Sequence, residues 1–560
     1  MRFRTLTVIF LILVLSCAAL ARDIRQEQVD RLFDKWDNRD SPGFAIGVFR
    51  DGETVYTRGY GMADLDHGIP NTPDTVFFIG SMGKQFTVAS VLQLEAEGKL
   101  SLDDDVRKYV PELHEFDEPI TIRHLIHHTS GLRDFLNLAL IAGRIDETFS
   151  DVQWLNDKNV LDLVSRQRGL NFPTGTSMMY CNTGYFLMSL ICEKVGGKKA
   201  PEYVVEHLTK PLGMTHTYAV EDARRTIPNR AYGYVGAEGG VRTNTVAYGA
   251  PGPAGLWSSA NDLGKWAHAF LTDGIGVPGT VDKMLEKGVL KSGRKIPYAG
   301  GVVLGDHRGL RTIEHGGGYP GFVCDMVHYP DYGYSFVCLS NAPTADPTGK
   351  CRQMAEIYLG RFMDPEPQKA AAPEGAGADD PSKYDSYAGD YKLDIGPTFT
   401  IVSEGGALYL TVKEAPVKFK LEYVSGTKYA AKEVSAEIEF LPDEAGKVDK
   451  LKLYQSGGEF EGKRLPPVTL TPEELQELTG SYTSDELDAT YRVLVEKDEL
   501  KARMPRGNTV GMQPVGDKSH WVTTGGFPLQ MDFTRDESGK VNGFKLSDSG
   551  RAAGIEFTRE

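Results

Sequence analysis

The chain has 560 residues, of which 41% are apolar and 25% charged, which is typical of a soluble globular protein of roughly three or four domains. Asp and Glu total 77 against 62 Lys and Arg, so the net charge is −15, and no run of five basic residues interrupts this composition. These properties exclude nucleic acid and anionic membrane surfaces as expected partners. Six cysteines without a C-x-x-C pair argue against a disulfide scaffold and a structural zinc site.

Residues 1–21 predict a secretory signal peptide. Two arginines precede an uncharged run over residues 5–20, and a small-x-small cleavage site ends at Ala21. The run is too short for a membrane-spanning helix, so we expect no transmembrane segment in the mature chain and export to the periplasm or beyond. Residues 14–17 also resemble a bacterial lipoprotein box with Cys17 as the lipid-bearing residue, and this alternative stays open.

Residues 22–364 combine strand and helix patterns. Strand patterns at both ends enclose helical ones: hairpins are predicted over 44–56 and 321–339, and helices over 82–97 and 184–195. This order predicts an α/β domain built around an antiparallel sheet.

Two cysteines flank the turn of the second predicted hairpin. Cys324 and Cys338 average to position 331, near the centre of the turn at 330–333. They are therefore expected to lie opposite each other, either as a strained cross-strand disulfide or as two buried thiols.

A linker is predicted at residues 365–382, where proline, alanine and glycine replace aromatic and β-branched residues. The chain after it repeats: an Asp-Glu-x-Gly turn between alternating apolar residues begins at Asp443 and again at Asp536, an offset of 93 residues. Such turns indicate β-hairpins. We therefore predict two related antiparallel β-barrels or sandwiches, over residues 383–467 and 468–560.

The sharpest chemical signal is a Ser-x-x-Lys motif formed by Ser81 and Lys84 at the start of a helical pattern. This spacing places both side chains on one helix face, with the serine at the helix N-terminus. A serine hydroxyl needs a base to become a nucleophile, and a lysine can be that base when burial lowers its pKa. The pattern alone is weak, since it recurs at Ser292 and Ser425 in turn sequences that no helix follows.

Two further motifs strengthen the signal. Tyr180 opens the only Tyr-x-Asn in the chain, and His315 begins a His-Gly-Gly-Gly run that enters the second predicted hairpin. In the order Ser-x-x-Lys, Tyr-x-Asn, His-Gly-Gly, the motifs strongly resemble the β-lactamase-related, penicillin-recognising serine hydrolases. That family includes class C β-lactamases, D-alanyl-D-alanine carboxypeptidases, D-aminopeptidases and esterases. The resemblance extends over about residues 25–360 and includes the Leu-x-x-His-Thr-Ser-Gly-Leu segment at 125–132.

The resemblance implies a role for each motif residue. Ser81 would form an acyl-enzyme while Lys84 and Tyr180 share proton transfer, and which of the two takes the serine proton stays open. The backbone N–H groups of Ser81 and Gly318 would form the oxyanion hole. The remaining motif positions are expected to bind substrate: Asn182, His315 and Gly317.

The third motif departs from the family's commonest form, which is Lys-Thr-Gly. Histidine is largely neutral near pH 7, so His315 attracts an anionic substrate less than a lysine would. His-x-Gly is similar to the D-aminopeptidases, which also carry two β-barrel domains after the catalytic one. The implied fold is therefore a β-lactamase/transpeptidase-like α/β domain with a helical subdomain, followed by two all-β barrels. The histidines of the 124–128 segment are interpreted as structural, because no metal-binding spacing accompanies them.

The expected function is that of an exported serine hydrolase without metal or organic cofactor. It would act on short peptides with D-residues, including peptidoglycan-derived ones, or on small amides and esters. A β-lactamase or D-Ala-D-Ala carboxypeptidase is one alternative, and a non-catalytic sensor of cell-wall peptides or β-lactams is another. The oligomeric state is not predicted.

Overall fold

The computed structural model describes most of the chain after the predicted signal peptide. The described residues are 24–146, 155–222, 225–237, 239–244, 252, 255–365, 379–394, 398–413, 417–434, 436–455, 458–524, 527–548 and 550–560. The predicted signal peptide, Cys17 and most of the predicted linker therefore lie outside the described residues. None of the helices in the described part of the chain has the length and apolar character that a membrane crossing requires.

Twelve α-helices occur in the described residues. They are α1 Ile24–Leu32, α2 Lys84–Ala96, α3 Ile122–Ile126, α4 Phe135–Ile141, α5 Asp157–Ser165, α6 Asn182–Gly196, α7 Ala200–Val204, α8 Ala260–Leu271, α9 Thr280–Met284, α10 Pro347–Leu359, α11 Tyr384–Tyr387 and α12 Pro472–Glu477.

The strands fall into a catalytic-domain group and two later groups. The first group is β1 Phe44–Arg50, β2 Glu53–Tyr60, β3 Met62–Asp64, β4 Ile69–Pro70, β5 Phe77–Phe78, β6 Tyr218–Ala219, β7 Gly233–Ala237, β8 Gly240–Asn244, β9 Leu256–Ser258, β10 Val303–His307, β11 Leu310–Tyr319, β12 Phe322–Tyr329 and β13 Tyr334–Ser340. The second is β14 Gly389–Leu393, β15 Thr398–Glu404, β16 Ala407–Val412, β17 Val417–Ser425, β18 Lys428–Ala431, β19 Ala436–Pro442, β20 Val448–Gln455 and β21 Gly458–Arg464. The third is β22 Gly480–Ser484, β23 Ala489–Glu496, β24 Glu499–Arg503, β25 Thr509–Val515, β26 Asp517–Thr524, β27 Gln530–Arg535, β28 Val541–Ser547 and β29 Ile555–Arg559.

The catalytic domain is built on a six-stranded antiparallel sheet in the order β10-β11-β12-β13-β1-β2. Side chains of β1 alternate between two cores: Phe44 and Ile46 pack with α1 and α10, whereas Ala45 packs with α8 and the helical region that contains α2 and α6. Because both faces are covered, β12 and β13 are almost fully buried. The predicted hairpins and the predicted α/β fold class are confirmed.

The register of β12 and β13 decides between the two alternatives for Cys324 and Cys338, and it contradicts the disulfide. Tyr329 pairs with Tyr334 across a four-residue turn, so Cys324 lies opposite Leu339 rather than Cys338. Successive residues of a strand point to opposite faces, and a one-residue offset therefore places the two thiols on different sides of the sheet. Both cysteines are buried and free, as the second alternative expected.

The last two groups of strands form two closed eight-stranded antiparallel barrels, β14–β21 and β22–β29. The repeated turns lie between β19 and β20 and between β27 and β28. Asp443 accepts hydrogen bonds from the backbone N–H groups of Ala445 and Lys447, and Asp536 makes the equivalent contacts in the second barrel. The predicted repeat of two barrels is confirmed.

The two barrels differ in how they pack. The first barrel has a hydrophobic core of its own, whereas the core of the second is continuous with that of the catalytic domain. At this contact the buried Arg133 pairs with Glu486 at 2.7 Å and donates to the carbonyl oxygens of Ala553 and Gly554. Tyr491 of the second barrel donates to the Ile141 carbonyl oxygen at 2.7 Å. The segment between β28 and β29 consequently lies against the catalytic domain.

Candidate active site

Ser81 is held in a tight turn between a short strand and a buried helix. After β5 the chain forms a 3-10 turn over Gly80–Gly83, and α2 begins at Lys84, so Ser81 lies one turn earlier than an α-helical N-terminus. Gly80 has φ +48°, and a Cβ there would lie 3.0 Å from the Gly318 nitrogen. Strand β11 therefore passes directly beside Ser81, as an oxyanion hole formed by Ser81 and Gly318 would require.

Lys84 is fully buried and connects two of the predicted motifs. Its Nζ donates to Ser81 Oγ at 3.0 Å and to Asn182 Oδ1 at 2.9 Å. Burial lowers the pKa of Lys84 to about 7; the carboxylate of Asp134 opposes this shift and the guanidinium of Arg551 adds to it. At neutral pH a large fraction of this lysine is therefore neutral and able to accept a proton from Ser81.

Tyr180 lies next to Lys84, in the segment just before α6. The Lys84 Nζ lies 4.7 Å from the centre of its ring, and the ring of His128 packs at 4.3 Å. The Tyr180 hydroxyl is buried and makes no hydrogen bond of standard geometry to a described residue. Burial raises the pKa of Tyr180, and contact with the Ser81 hydroxyl offsets this in part. The Tyr180 hydroxyl thus faces Ser81 in its neutral form.

The third motif adopts the geometry of a neutral histidine. His315 Nδ1 lies 2.6 Å from the Gly316 carbonyl oxygen, which can only accept, so Nδ1 carries the proton and Nε2 accepts from the Tyr298 hydroxyl at 3.0 Å. Burial lowers the pKa of His315 to about 4. Both ring nitrogens are therefore occupied within the protein, and His315 offers no positive charge to a substrate.

Gly317 is required by close packing. A Cβ at Gly317 would lie 2.0 Å from the carbonyl oxygen of Ile79, at the point where β11 passes the segment before Ser81. A side chain here would push β11 away from Ser81. The glycine thus fixes the distance between the two halves of the site.

The histidines of the 124–128 segment make structural contacts. His124 caps α3 through Thr121, and His127 lies between the carbonyl oxygens of Arg123 and Glu286. His128 accepts from the Cys181 N–H at 3.1 Å and so supports the segment that carries Tyr180.

A different group, Asp157, Glu193 and Glu221, has metal-ligand spacing among the described residues. Lys199 already pairs with all three carboxylates, at 3.9, 3.1 and 3.4 Å. This lysine supplies the positive charge that the cluster requires.

Two residues at the site have no counterpart in the predicted motifs. Asp134 is buried beside Asn182 and caps α4, which an aspartate just before an apolar run could have indicated. Arg551 reaches the site from the second barrel, and its guanidinium lies 5.5 Å from the centre of the Tyr180 ring. The guanidinium is exposed and forms no hydrogen bond or ion pair with a described residue. No local sequence signal marks Arg551.

Comparison with known proteins agrees with this geometry. Residues 29–359 match the β-lactamase family, and residues 373–465 match DUF3471, a domain of unknown function that coincides with the first barrel. The chain is 27% identical to penicillin-binding protein 4* of Bacillus subtilis over 79% of its length and 99% of that protein. It is 29% identical to a D-aminopeptidase of Gluconobacter oxydans over 80% of each chain, and 24% identical to one of Brucella anthropi over 93% and 96%.

Solved structures share the fold at lower identity. The octameric penicillin-binding protein homologue from Pyrococcus abyssi superposes with a TM-score of 0.56 at 21% identity, covering 87% of this chain and all of the other. D-amino acid amidase from Ochrobactrum anthropi SV3 superposes with a TM-score of 0.51 at 22% identity, over 61% of this chain and all of the other.

Proposed function

Because the chain belongs to the β-lactamase family of serine hydrolases, we propose that it cleaves amide or ester bonds next to D-amino-acid residues through an acyl-Ser81 intermediate. The observation that carries this proposal is the 3.0 Å hydrogen bond between Lys84 Nζ and Ser81 Oγ, made by a lysine whose pKa burial lowers to about 7. An activated serine needs such a base in contact with its hydroxyl.

The proposed reaction has two halves. Ser81 Oγ attacks the substrate carbonyl carbon and its proton passes to Lys84, with Tyr180 as the proton donor to the leaving group. The N–H groups of Ser81 and Gly318 stabilise the negative charge on the substrate oxygen. Water then attacks the acyl carbon and gives a proton to Tyr180, and Lys84 returns its proton to Ser81 Oγ as the acyl–oxygen bond breaks.

The D-configuration is proposed from the relatives. Two of the most similar curated proteins are D-aminopeptidases, and the similarity to them extends across the catalytic domain and into the barrels. We expect D-alanine p-nitroanilide to be cleaved, its L-isomer to be cleaved poorly, and Ser81→Ala to abolish turnover and labelling by a fluorophosphonate. Labelling of a different residue would exclude the acyl-Ser81 mechanism.

A second candidate function is supported by Arg551. Its exposed guanidinium beside Tyr180 is suited to a substrate carboxylate, whereas it would repel the free ammonium of an aminopeptidase substrate. This observation favours carboxypeptidase-type peptides that end in D-alanine, or β-lactams. N-acetylated D-alanyl-D-alanine peptides and benzylpenicillin should then be turned over faster than D-alanine p-nitroanilide. The opposite preference would exclude this candidate in favour of the aminopeptidase.

Export is part of the same proposal. Residues 1–21 have the composition of a signal peptide, and a cell-wall-derived substrate would be met outside the cytoplasm. Sequencing the N-terminus of the protein from cell fractions tests this. Cleavage after Ala21 is expected, and a lipid-modified Cys17 would indicate the alternative route.

A further inference from the structure

A buried carboxylate that the proposed reaction does not use lies directly behind the site. Asp134 has no solvent exposure. One of its carboxylate oxygens accepts from both the backbone N–H and the side-chain amide of Asn182, at 2.6 and 2.9 Å, and the other accepts from the Leu136 N–H at 3.0 Å. Asp134 thus accepts three hydrogen bonds from N–H groups.

The contact with Asp134 determines the orientation of the Asn182 amide. Since a carboxylate can only accept, the NH₂ group of Asn182 must face Asp134 and its oxygen must face the other way. That oxygen accepts from Lys84 Nζ at 2.9 Å. A flipped amide would turn a donor toward the lysine and break this contact. The direction of the Lys84 amine therefore depends on Asp134, although the two side chains are joined only through Asn182.

The segment around Asp134 is itself firmly held. The Phe135 N–H donates to Thr183 Oγ1 at 2.8 Å, and that hydroxyl donates to the Arg133 carbonyl oxygen at 2.7 Å. From the second barrel, the Arg551 carbonyl oxygen accepts from the Asp134 N–H at 2.8 Å. Hydrogen bonds thus hold the N-terminus of α4 against the N-terminus of α6 and against the second barrel.

We propose that Asp134 is a positioning residue, which holds the Asn182 amide and through it directs the Lys84 amine toward Ser81. This inference rests on the function proposed above, in which Lys84 is the base. It also assigns a task to the second barrel, whose backbone contact fixes Asp134 in place.

The electrostatic surroundings of Lys84 make the effect measurable. The titratable and charged groups that face it are His128 and Asp134 before α4, Tyr180, Cys181 and Tyr185 around the start of α6, His315 in β11, and Arg551 from the second barrel. Asp134 is the carboxylate of this set and favours the charged lysine, so loss of its charge should lower the pKa of Lys84 further.

The test compares Asp134→Asn with the intact full-length protein in two measurements. The first is the titration of Lys84 by NMR of ¹³C-labelled lysine, with its signal identified by its loss in Lys84→Met. The second is the pH dependence of fluorophosphonate labelling at Ser81. In Asp134→Asn we expect the Lys84 titration and the acid limb of labelling to move to lower pH. The maximal labelling rate should fall about 10- to 100-fold, as for loss of a hydrogen bond to a charged group.

Matched variants separate positioning from folding. Asp262→Asn is the control, because Asp262 is equally buried and accepts from the His216 N–H at 2.6 Å and from Thr217 at 2.9 Å, while its ion pair is with Lys265 and not with Lys84. Asp262→Asn should leave the titration of Lys84 and the pH dependence of labelling at Ser81 unchanged. If Asp134→Asn unfolds, Asp134→Ser retains a cap for α4 and carries the same expectation. Combining Asp134→Asn with Asn182→Ala should slow labelling no further than Asn182→Ala alone.

The outcomes are distinguishable. A folded Asp134 variant with an unchanged Lys84 titration and an unchanged labelling rate would overturn the positioning role. Additive losses in the double variant would also overturn it. Absence of labelling at Ser81 in the intact protein would overturn the proposed function, while the NMR titration would still decide whether Asp134 controls Lys84.

Discussion

The two barrels share a plan and differ in their relation to the active site. In both, a glycine opens the first strand, and a tyrosine two residues later donates from its hydroxyl to a backbone carbonyl four residues earlier: Tyr391 to Tyr387, and Tyr482 to Leu478. In both, an arginine of the last strand stacks on that tyrosine, at 4.9 Å for Arg464 and 5.9 Å for Arg559. The two barrels therefore share these features, and one connection between their strands differs clearly in length.

That connection joins the last two strands. In the first barrel β20 and β21 pair as far as Gln455 and Gly458, which leaves only residues 456–457 between them. In the second barrel pairing ends at Leu546 and Ile555, and the described residues between β28 and β29, 548 and 550–554, form a longer loop. Asp548 organises this loop by accepting from the N–H groups of residues 550–552. This longer hairpin loop brings Arg551 to the site, and it adds to the contacts that Glu486, Tyr491 and Arg506 make with the catalytic domain.

The largest effect is expected on stability. It should follow from removing Arg133, the buried cation where the catalytic domain contacts the second barrel. Arg133→Met leaves Glu486 without its partner and frees two carbonyl oxygens, so we expect a loss of about 3–5 kcal/mol in the free energy of unfolding. Urea denaturation measures it. Lys413→Met removes the cation of the Lys413–Asp390 pair inside the first barrel and should affect only that barrel. Equal global losses in the two variants would contradict the distinction between the barrels.

The second largest effect is expected on activity. It should follow from shortening the connection between β28 and β29 to the length of the β20–β21 connection in the first barrel. Replacement of residues 548–554 by a two-residue turn removes Arg551 and the backbone contact to Asp134. We expect kcat/KM for an N-acetylated D-alanyl-D-alanine peptide to fall about 10- to 100-fold, as for loss of a charge-assisted hydrogen bond. Steady-state kinetics on the folded variant test this. Unchanged kinetics would mean that the loop does not contribute to the site.

The contribution of Arg551 to the base should appear in the pH dependence. Lys84 must be neutral to accept the serine proton, so kcat/KM should rise with pH through a midpoint of about 7. A nearby cation disfavours the ammonium form, so Arg551→Gln should move the midpoint to higher pH. Arg506→Gln is the control, since Arg506 joins the second barrel to the carbonyl oxygens of Gly143 and Arg144. A midpoint that moves in Arg506→Gln but stays unchanged in Arg551→Gln would refute the influence of Arg551 on Lys84.

The matched tyrosines of the two barrels should show the smallest effects on the free energy of unfolding. Tyr391→Phe and Tyr482→Phe each remove a hydrogen bond to a backbone carbonyl and should each cost about 1 kcal/mol, and Tyr391→Phe should cost somewhat more because it also removes an acceptor of Arg464. Calorimetry should assign the first loss to a separate transition of the first barrel, and the second to the joint unfolding of the second barrel and the catalytic domain. A single transition for all three domains would contradict the separate core of the first barrel.

Much of this organisation could be predicted from the sequence, because its signals are local. The hairpins, the helix after Ser81 and the repeated Asp-Glu-x-Gly turns depend on neighbouring residues, and the order of three motifs indicates the family. The positions of Ser81, Lys84, Tyr180 and Asn182 followed from those motifs, and the structure brings these side chains into contact.

The features that were missed depend on register or on distant contacts. Cys324 faces Leu339, which is one residue away from Cys338. The number of residues in the turn sets this register. Asp134 is 48 residues from Asn182. Arg551 lies more than 400 residues after Asp134, in a loop whose length has meaning only once the barrel has docked.

The continuous core between the second barrel and the catalytic domain has a consequence for biosynthesis. Chains emerge from the ribosome N-terminal end first, and domains fold as they emerge. Ser81 and Lys84 are made early, whereas the part of the second barrel that shares a core with their domain, and the loop that contacts Asp134, are made only after about residue 470. The nascent hydrolase therefore stays incomplete through most of its synthesis, and the second barrel acts as the step that completes assembly of the site.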